Sequence, residues 1–208
     1  MCGIVGVVGN NNAADILIQG LEKLEYRGYD SAGIYVTDVP DKGSLVKSIG
    51  RIADLRAKIS SDVKGKTGIG HTRWATHGQA TEDNAHPHTS ETGRFVLVHN
   101  GVIENYLQIK EEYLQGHKFK GQTDTEIAAH LIGKFVEEDG LSVLEALKKS
   151  LHIIQGSYAF ALVDSQTPDT IYVAKNKSPL LVGVGEGYNM VCSDAMAMIR
   201  ETSQFMEI

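Results

Sequence analysis

MCGIVGVVG, residues 1–9, opens the chain, and its reading decides how the rest is organised. Gly3 to Val8 is a short run of small and β-branched residues, which predicts a buried strand. Behind it, Ala13 to Leu24 places Ile16, Leu17, Leu21 and Leu24 on one face of an amphipathic helix. The apolar opening spans only nine residues, no basic region precedes it, and Asp15 follows soon after. It is therefore neither a secretory signal nor a membrane span.

Cys2 stands at the head of that strand. A small second residue favours removal of Met1, which would leave Cys2 with a free α-amine. Such an amine has a pKa of about 7.7–8.0, so near neutrality part of it is unprotonated and can take the thiol proton. Nucleophile and base would then share one residue. The alternative is a small apolar cysteine at the start of a buried strand, since cysteine is often buried and inert.

Outward from this start, YRGYDSAG (26–33) is rich in turn formers, and Ile34–Thr37 and Leu45–Ile49 read as two strands of a hairpin. Ile52–Ile59 reads as helix and Gly68–Trp74 as extended chain. Ala75–Gly93 is a long polar loop with three histidines and a proline, a length that usually carries function. Phe95–Val98 is a strand ending at HNG (99–101). Glu104–Leu114, Thr125–Glu138 and about Ser142–Leu151 have helical spacing, with Thr123 or Asp124 as an N-cap. A four-strand meander is expected over Ser157–Val163, Thr170–Ala174, Leu180–Val184 and Met190–Cys192. Antiparallel strands with grouped helices imply an α+β layered fold in one domain.

The 208 residues suffice to bury roughly 70% of the unfolded chain's surface. Hydrophobic residues make up 42% and charged residues 22%, which fits a globular chain and excludes disorder. The net charge is −6 with no basic cluster, so no nucleic acid partner is expected. The two cysteines, Cys2 and Cys192, suggest no structural disulfide and fit a reducing cytoplasm.

Taken together, MCGIVG, EYRGYDSAGI, HTRWATHG, NAHPH, VHNGVIEN, TDTE and NKSPLLVG resemble, in order and over essentially the whole chain, the glutaminase domains of the glucosamine-6-phosphate synthase family. These are class II, N-terminal-nucleophile glutamine amidotransferases. The tyrosine-rich EYRGYDSAG and the tryptophan of HTRWATHG favour the hexosamine branch over the phosphoribosyl-pyrophosphate branch. The resemblance implies a four-layer αββα sandwich of antiparallel sheets. It also implies L-glutamine as substrate, no cofactor, no metal and no membrane. The full-length polypeptide would carry sugar-isomerase domains, form a homo-oligomer and pass ammonia to fructose 6-phosphate. The chain stops at FMEI, in what reads as a strand, and is expected to be a piece of that longer protein.

The same resemblance assigns roles. Cys2 is the nucleophile, and Asn100 and Gly101 supply the side-chain and backbone donors of an oxyanion hole. Arg73 grips the α-carboxylate of glutamine and Asp124 its ammonium. Thr76, His77 and His86 line the pocket, Trp74 sits near the ammonia exit, and Arg27 is a supporting cation beside the thiol. Out of context these residues have plainer readings: Asn100-Gly101 as a type I′ turn, Arg73 as a surface ion-pair residue, Asp124 as a helix cap and Arg27 as an exposed turn arginine. His86 and His88 form an HxH pair, but no cysteine or carboxylate completes a zinc set around it. GVGEG (183–187) reads as a hairpin turn, since no helix follows as a nucleotide loop requires. Cys192 reads as an inert core thiol. A different amidotransferase or a non-catalytic glutamine sensor are the competing functions.

Overall fold

The computed structural model describes residues 2–10, 12–75 and 78–208. The chain begins with β1 (Gly3–Val8) and α1 (Ala13–Leu24), then a 3-10 turn at Glu25–Arg27. The hairpin β2 (Ser31–Val39) and β3 (Lys42–Ile49) follows, then α2 (Ile52–Lys58) and β4 (Thr67–Arg73). Next come the short β5 (His88–Thr89) and long β6 (Phe95–Ile103), and the helices α3 (Tyr106–Tyr113), α4 (Asp124–Glu137) and α5 (Val143–Ile153). The chain ends with β7 (Gly156–Asp164), β8 (Ile171–Asn176), β9 (Leu181–Val184), β10 (Asn189–Cys192) and β11 (Phe205–Glu207).

The strands form two antiparallel sheets, a seven-stranded one in the order β11-β9-β10-β1-β4-β2-β3 and a four-stranded one in the order β5-β6-β7-β8. Three apolar cores separate four layers. Val5, Val7, Leu17 and Leu21 belong to the core between the large sheet and α1 and α2. Ile4, Ile69, Val96, Val98, Ala159 and Ala161 fill the space between the sheets. Phe95, Leu97, Phe160 and Leu162 lie against α4 and its neighbours. The expected αββα sandwich is therefore the observed fold.

Period-two alternation explains the sorting, because successive side chains of a strand point to opposite faces. Along β7, Ala159, Ala161 and Val163 face the other sheet while Phe160 and Leu162 face the helices. Small residues let the sheets approach closely. The large ones meet the helical layer, each contributing ~1.5–3 kcal/mol on full burial. Because both faces are covered, these strands read as continuous apolar runs. Arg94 clamps the open end of the β6–β7 pair, donating from both Nε and Nη2 to Asp164 at 2.9 Å.

Two sequence expectations change, and the choice between two cap residues is settled. The last quarter is not one meander: β7 and β8 belong to the small sheet, whereas β10 pairs with β1 and β9 with β10 in the large one. The apolar edge of β1 needed a partner, and β10 supplies it. β6 does not stop before HNG, since it pairs with β7 from Phe95 opposite Asp164 through to Ile103 opposite Gly156. Asn100 and Gly101 are thus strand residues and not a hairpin turn. Between the two candidates for the α4 cap it is Thr123 whose hydroxyl accepts the Glu126 amide, at 3.2 Å, while Asp124 is the first helical residue. The GVGEG segment does form the β9–β10 turn, closed by Gly185 N–H donating to Tyr188 O. Among the described residues no helix is long and apolar enough to cross a membrane.

The loop before β5 crosses β2 at Gly33, where an added Cβ would lie 2.2 Å from the carbonyl oxygen of His86. Gly33→Ala is expected to lower stability by about 1–3 kcal/mol, the usual cost of overpacking. Urea unfolding would show it as a lower midpoint at unchanged slope. An unchanged midpoint would mean that the loop shifts aside freely.

Candidate active site

Ladder register builds the site. β1 and β4 pair with Gly3 opposite Thr72, and β2 and β4 with Ser31 opposite Arg73. Cys2, just before β1, therefore meets the end of β4, and the EYRGYDSAG turn meets the same end from the other side. A cavity of about 340 Å³ opens there, lined by Cys2, Arg27, Arg73, Trp74, His86, Asn100, Gly101 and Asp124 among others. That volume lies in the range of small-molecule sites.

Cys2 Sγ accepts the backbone N–H of Trp74 at 3.2 Å and lies 3.4 Å from Trp74 O. Burial pushes the thiol pKa up, while the Trp74 N–H and the Arg73 cation act against that shift. Desolvation is the larger effect, so at neutral pH the sulfur holds its proton and needs a base to lose it. Asn100 Nδ2 donates to Cys2 O at 3.2 Å, which ties the Cys2 backbone to β6.

The orientation of Asn100 is set by a residue that motif reading passed over. His71 is fully buried, and its Nε2 lies 2.9 Å from Asn100 Oδ1 and 3.0 Å from His99 O. Both neighbours are acceptors, so Nε2 carries the proton. Burial lowers the His71 pKa to about 3, so the ring is neutral and Nδ1 is bare; Nδ1 is also a buried atom without a partner among the described residues. With its oxygen committed to His71, the Asn100 amide turns its NH₂ toward Cys2. Only the β4–β6 packing of two sheets reveals this, since His71 and Asn100 are 29 residues apart.

Behind them the hydrogen bonds run in one direction. His86 Nδ1 accepts the His99 N–H at 3.3 Å, which leaves the His86 proton on Nε2, 3.5 Å from Thr125 Oγ1. The Thr125 hydroxyl lies 2.9 Å from His99 Nδ1, and His99 Nε2 lies 3.3 Å from Ser157 O. His86 stacks on His71 with ring centroids 4.0 Å apart. Burial holds both His86 and His99 below the usual histidine range. A wall of neutral imidazoles thus backs the cavity without placing a cation there. The HxH partner, His88, is also buried, with Nε2 2.9 Å from Thr123 Oγ1.

Arg73 is 3% exposed and donates to Gln79 O at 3.1 Å and Gly78 O at 3.3 Å, with Asp30 at 3.7 Å. Asp30 also accepts the Ala75 N–H, so the turn aspartate orients both the arginine and the loop after it. This organising role of Asp30 was not visible in the motif. Asp124 Oδ2 accepts the Ile103 N–H at 2.8 Å, anchoring α4 to the end of β6. Gly101 adopts φ 128°, and a Cβ there would lie 2.2 Å from Ser157 O, so the position admits only glycine. Arg27 lines the cavity while ion-pairing with Asp194 at 3.5 Å. The Trp74 ring covers Gly28 and is 55% exposed at the cavity mouth. Thr76 and His77 lie outside the described residues. Cys192 is fully buried in the core under α1, and burial raises its pKa strongly.

The chain is 82% identical over all 208 residues to glutamine--fructose-6-phosphate aminotransferase [isomerizing] of Streptococcus mutans, and 81% to that of Streptococcus pneumoniae. It spans 34% of the length of each, about a third of the curated relatives it matches. Among solved structures, the glutamine phosphoribosylpyrophosphate amidotransferase of B. subtilis superposes with a TM-score of 0.84 at 32% identity, covering all of this chain and 45% of that one. A glutamine aminotransferase class-II domain protein of Silicibacter pomeroyi, 17% identical, shares the fold at TM-score 0.62 over all of this chain and 91% of its own. Residues 71–200, which hold Arg73, Asn100, Gly101 and Asp124, match the family described as glutamine amidotransferase domain. The chain belongs to the glutamine amidotransferase domain family.

Proposed function

We propose that residues 1–208 are the glutaminase domain of a glutamine--fructose-6-phosphate aminotransferase, hydrolysing L-glutamine to glutamate and ammonia. The convergence of Cys2, Arg73, Asn100, Gly101 and Asp124 on one cavity carries this reading. Sugar-isomerase domains of the same full-length polypeptide, a cytoplasmic homo-oligomer, would use the ammonia to convert fructose 6-phosphate to glucosamine 6-phosphate.

The reaction starts once Met1 is removed, because the Cys2 nitrogen is otherwise an amide without basicity. The Arg73 fork takes the α-carboxylate, displacing the Gly78 and Gln79 carbonyls, and Asp124 takes the ammonium. Thr76, His77 and His86 complete the pocket, with Trp74 at the ammonia exit. Cys2 Sγ attacks the γ-carboxamide carbon as its proton passes to the α-amine. The oxyanion forms against the Asn100 NH₂ and Gly101 N–H. The amine then returns the proton to the departing ammonia, leaving a γ-glutamyl thioester. Water adds to this thioester, giving glutamate and restoring the thiol. Arg27, held by Asp194 at the rim of the same cavity, is the supporting cation.

Intact mass of the purified chain reports Met1 removal. Processed protein is expected to release ammonia from glutamine, with kcat/KM falling about tenfold per pH unit below the α-amine pKa of ~7.7–8.0, since an ammonium cannot accept the proton. Full activity in chains that keep Met1 would overturn the mechanism.

Cys2→Ala should fold and bind glutamine yet show no turnover above background. Asn100→Ala should lose ~3–4 kcal/mol of transition-state stabilisation, about 10²–10³ in kcat. His71→Phe, which removes the hydrogen bond to Asn100 and keeps a flat ring against His86, should lower kcat while leaving KM within about twofold. An effect of His71→Phe confined to KM would remove it from the oxyanion hole.

Native-state alkylation with iodoacetamide should label Cys2 and spare Cys192, by peptide mass mapping. Because burial raises the Cys2 pKa, its rate in chains retaining Met1 should still climb at pH 9. Equal labelling of both thiols would contradict the burial of Cys192.

A further inference from the structure

Apart from the residues that line the cavity, three donors converge. Glu91 comes from the turn between β5 and β6, His117 from the loop between α3 and α4, and His130 from the middle of α4. We propose that Glu91, His117 and His130 form a binding site for a divalent transition-metal ion of the zinc class.

The distances are those of a coordination polyhedron. His117 Nδ1 lies 3.2 Å from His130 Nδ1 and 3.1 Å from Glu91 Oε2, and one donor atom from each residue lies within 4.8 Å of the others. A tetrahedral ion with ligands at ~2.0–2.1 Å has edges of about 3.3 Å between ligand atoms. Two edges already have that length, and the third closes by rotation of an exposed carboxylate.

The surroundings match as well. Metal-bound imidazoles ordinarily donate their other N–H to a carboxylate, which fixes ring orientation. Here His117 Nε2 faces Glu138 Oε1 at 3.2 Å, and His130 Nε2 faces Glu126 Oε1 at 3.9 Å. Both rings thus turn Nδ1 inward and Nε2 to an acid. Glu91 Oε1 accepts the Lys118 N–H at 3.0 Å, which aims Oε2 at the histidines. Phe119 packs on the His130 ring with centroids 4.5 Å apart, shielding one side. Glu91 is exposed and leaves an entry path and a solvent position for a fourth ligand, while the His117 side chain is largely covered. An ion there would tie the β5–β6 turn and the α3–α4 loop to α4, the helix that begins with Asp124.

The test uses the chelator-treated 208-residue chain, titrated with Zn²⁺ by calorimetry and with Co²⁺ by visible absorption. One equivalent should bind, with the intense visible bands of four-coordinate Co²⁺ and no thiolate charge-transfer band. His117→Ala and Glu91→Gln should weaken binding by more than ~100-fold and Glu138→Gln by ~10-fold, each variant retaining its circular dichroism spectrum. Glu91→Gln, a surface change, keeps the test valid should His117→Ala fail to fold. Absence of binding below millimolar metal, affinity unchanged in Glu91→Gln, or binding abolished by Cys2→Ser would overturn the proposal.

Discussion

The antiparallel ladder between β1 and β4, with Gly3 opposite Thr72, is the constraint on which the site depends. An unpaired segment ordinarily frays, and the Cys2 thiol could not then hold a fixed direction. Here β1 lies inside the large sheet, paired on one side with β4 and on the other with β10. Its apolar side chains enter two cores at once. Cys2 is thereby carried to the end of β4, where Arg73 and the Trp74 amide already stand. The cost of ordering this segment is offset by burial of Ile4, Val5 and Val7, all fully inaccessible.

Electrostatics follows from the same packing. Closing two sheets on each other removes water from His71, His86, His88 and His99, and desolvation keeps every one of them neutral. Neutral imidazoles have one donor and one acceptor, so they impose a direction on each hydrogen bond. That is how His71 fixes the Asn100 amide. The cations near the cavity are instead arginines, each paired with an aspartate, Arg73 with Asp30 and Arg27 with Asp194.

Local signals in the sequence were a good guide wherever one face or one turn decided the outcome. The strand Gly3–Val8, the helix Ala13–Leu24, the β2–β3 hairpin and the GVGEG turn each follow from periodicity or turn chemistry within a short window. Asn100-Gly101 misled for the opposite reason. As a dipeptide it favours a turn, but β7 offered a full-length partner to β6, and ladder bonds outweighed local preference. The assignment of the last strands failed similarly, because adjacency in sequence does not say which sheet an apolar strand completes.

By itself the sequence determined the layered α+β class, the cysteine at position 2 and the residue types that line the cavity, since alternation, helical spacing and side-chain chemistry are written locally. Tertiary structure alone decided which residues share a cavity. The pairing of His71 with Asn100, the grip of Asp30 on Arg73 and the convergence of Glu91, His117 and His130 each join segments that lie apart in sequence. They meet only because sheet register and helix packing fix distances that no local pattern encodes.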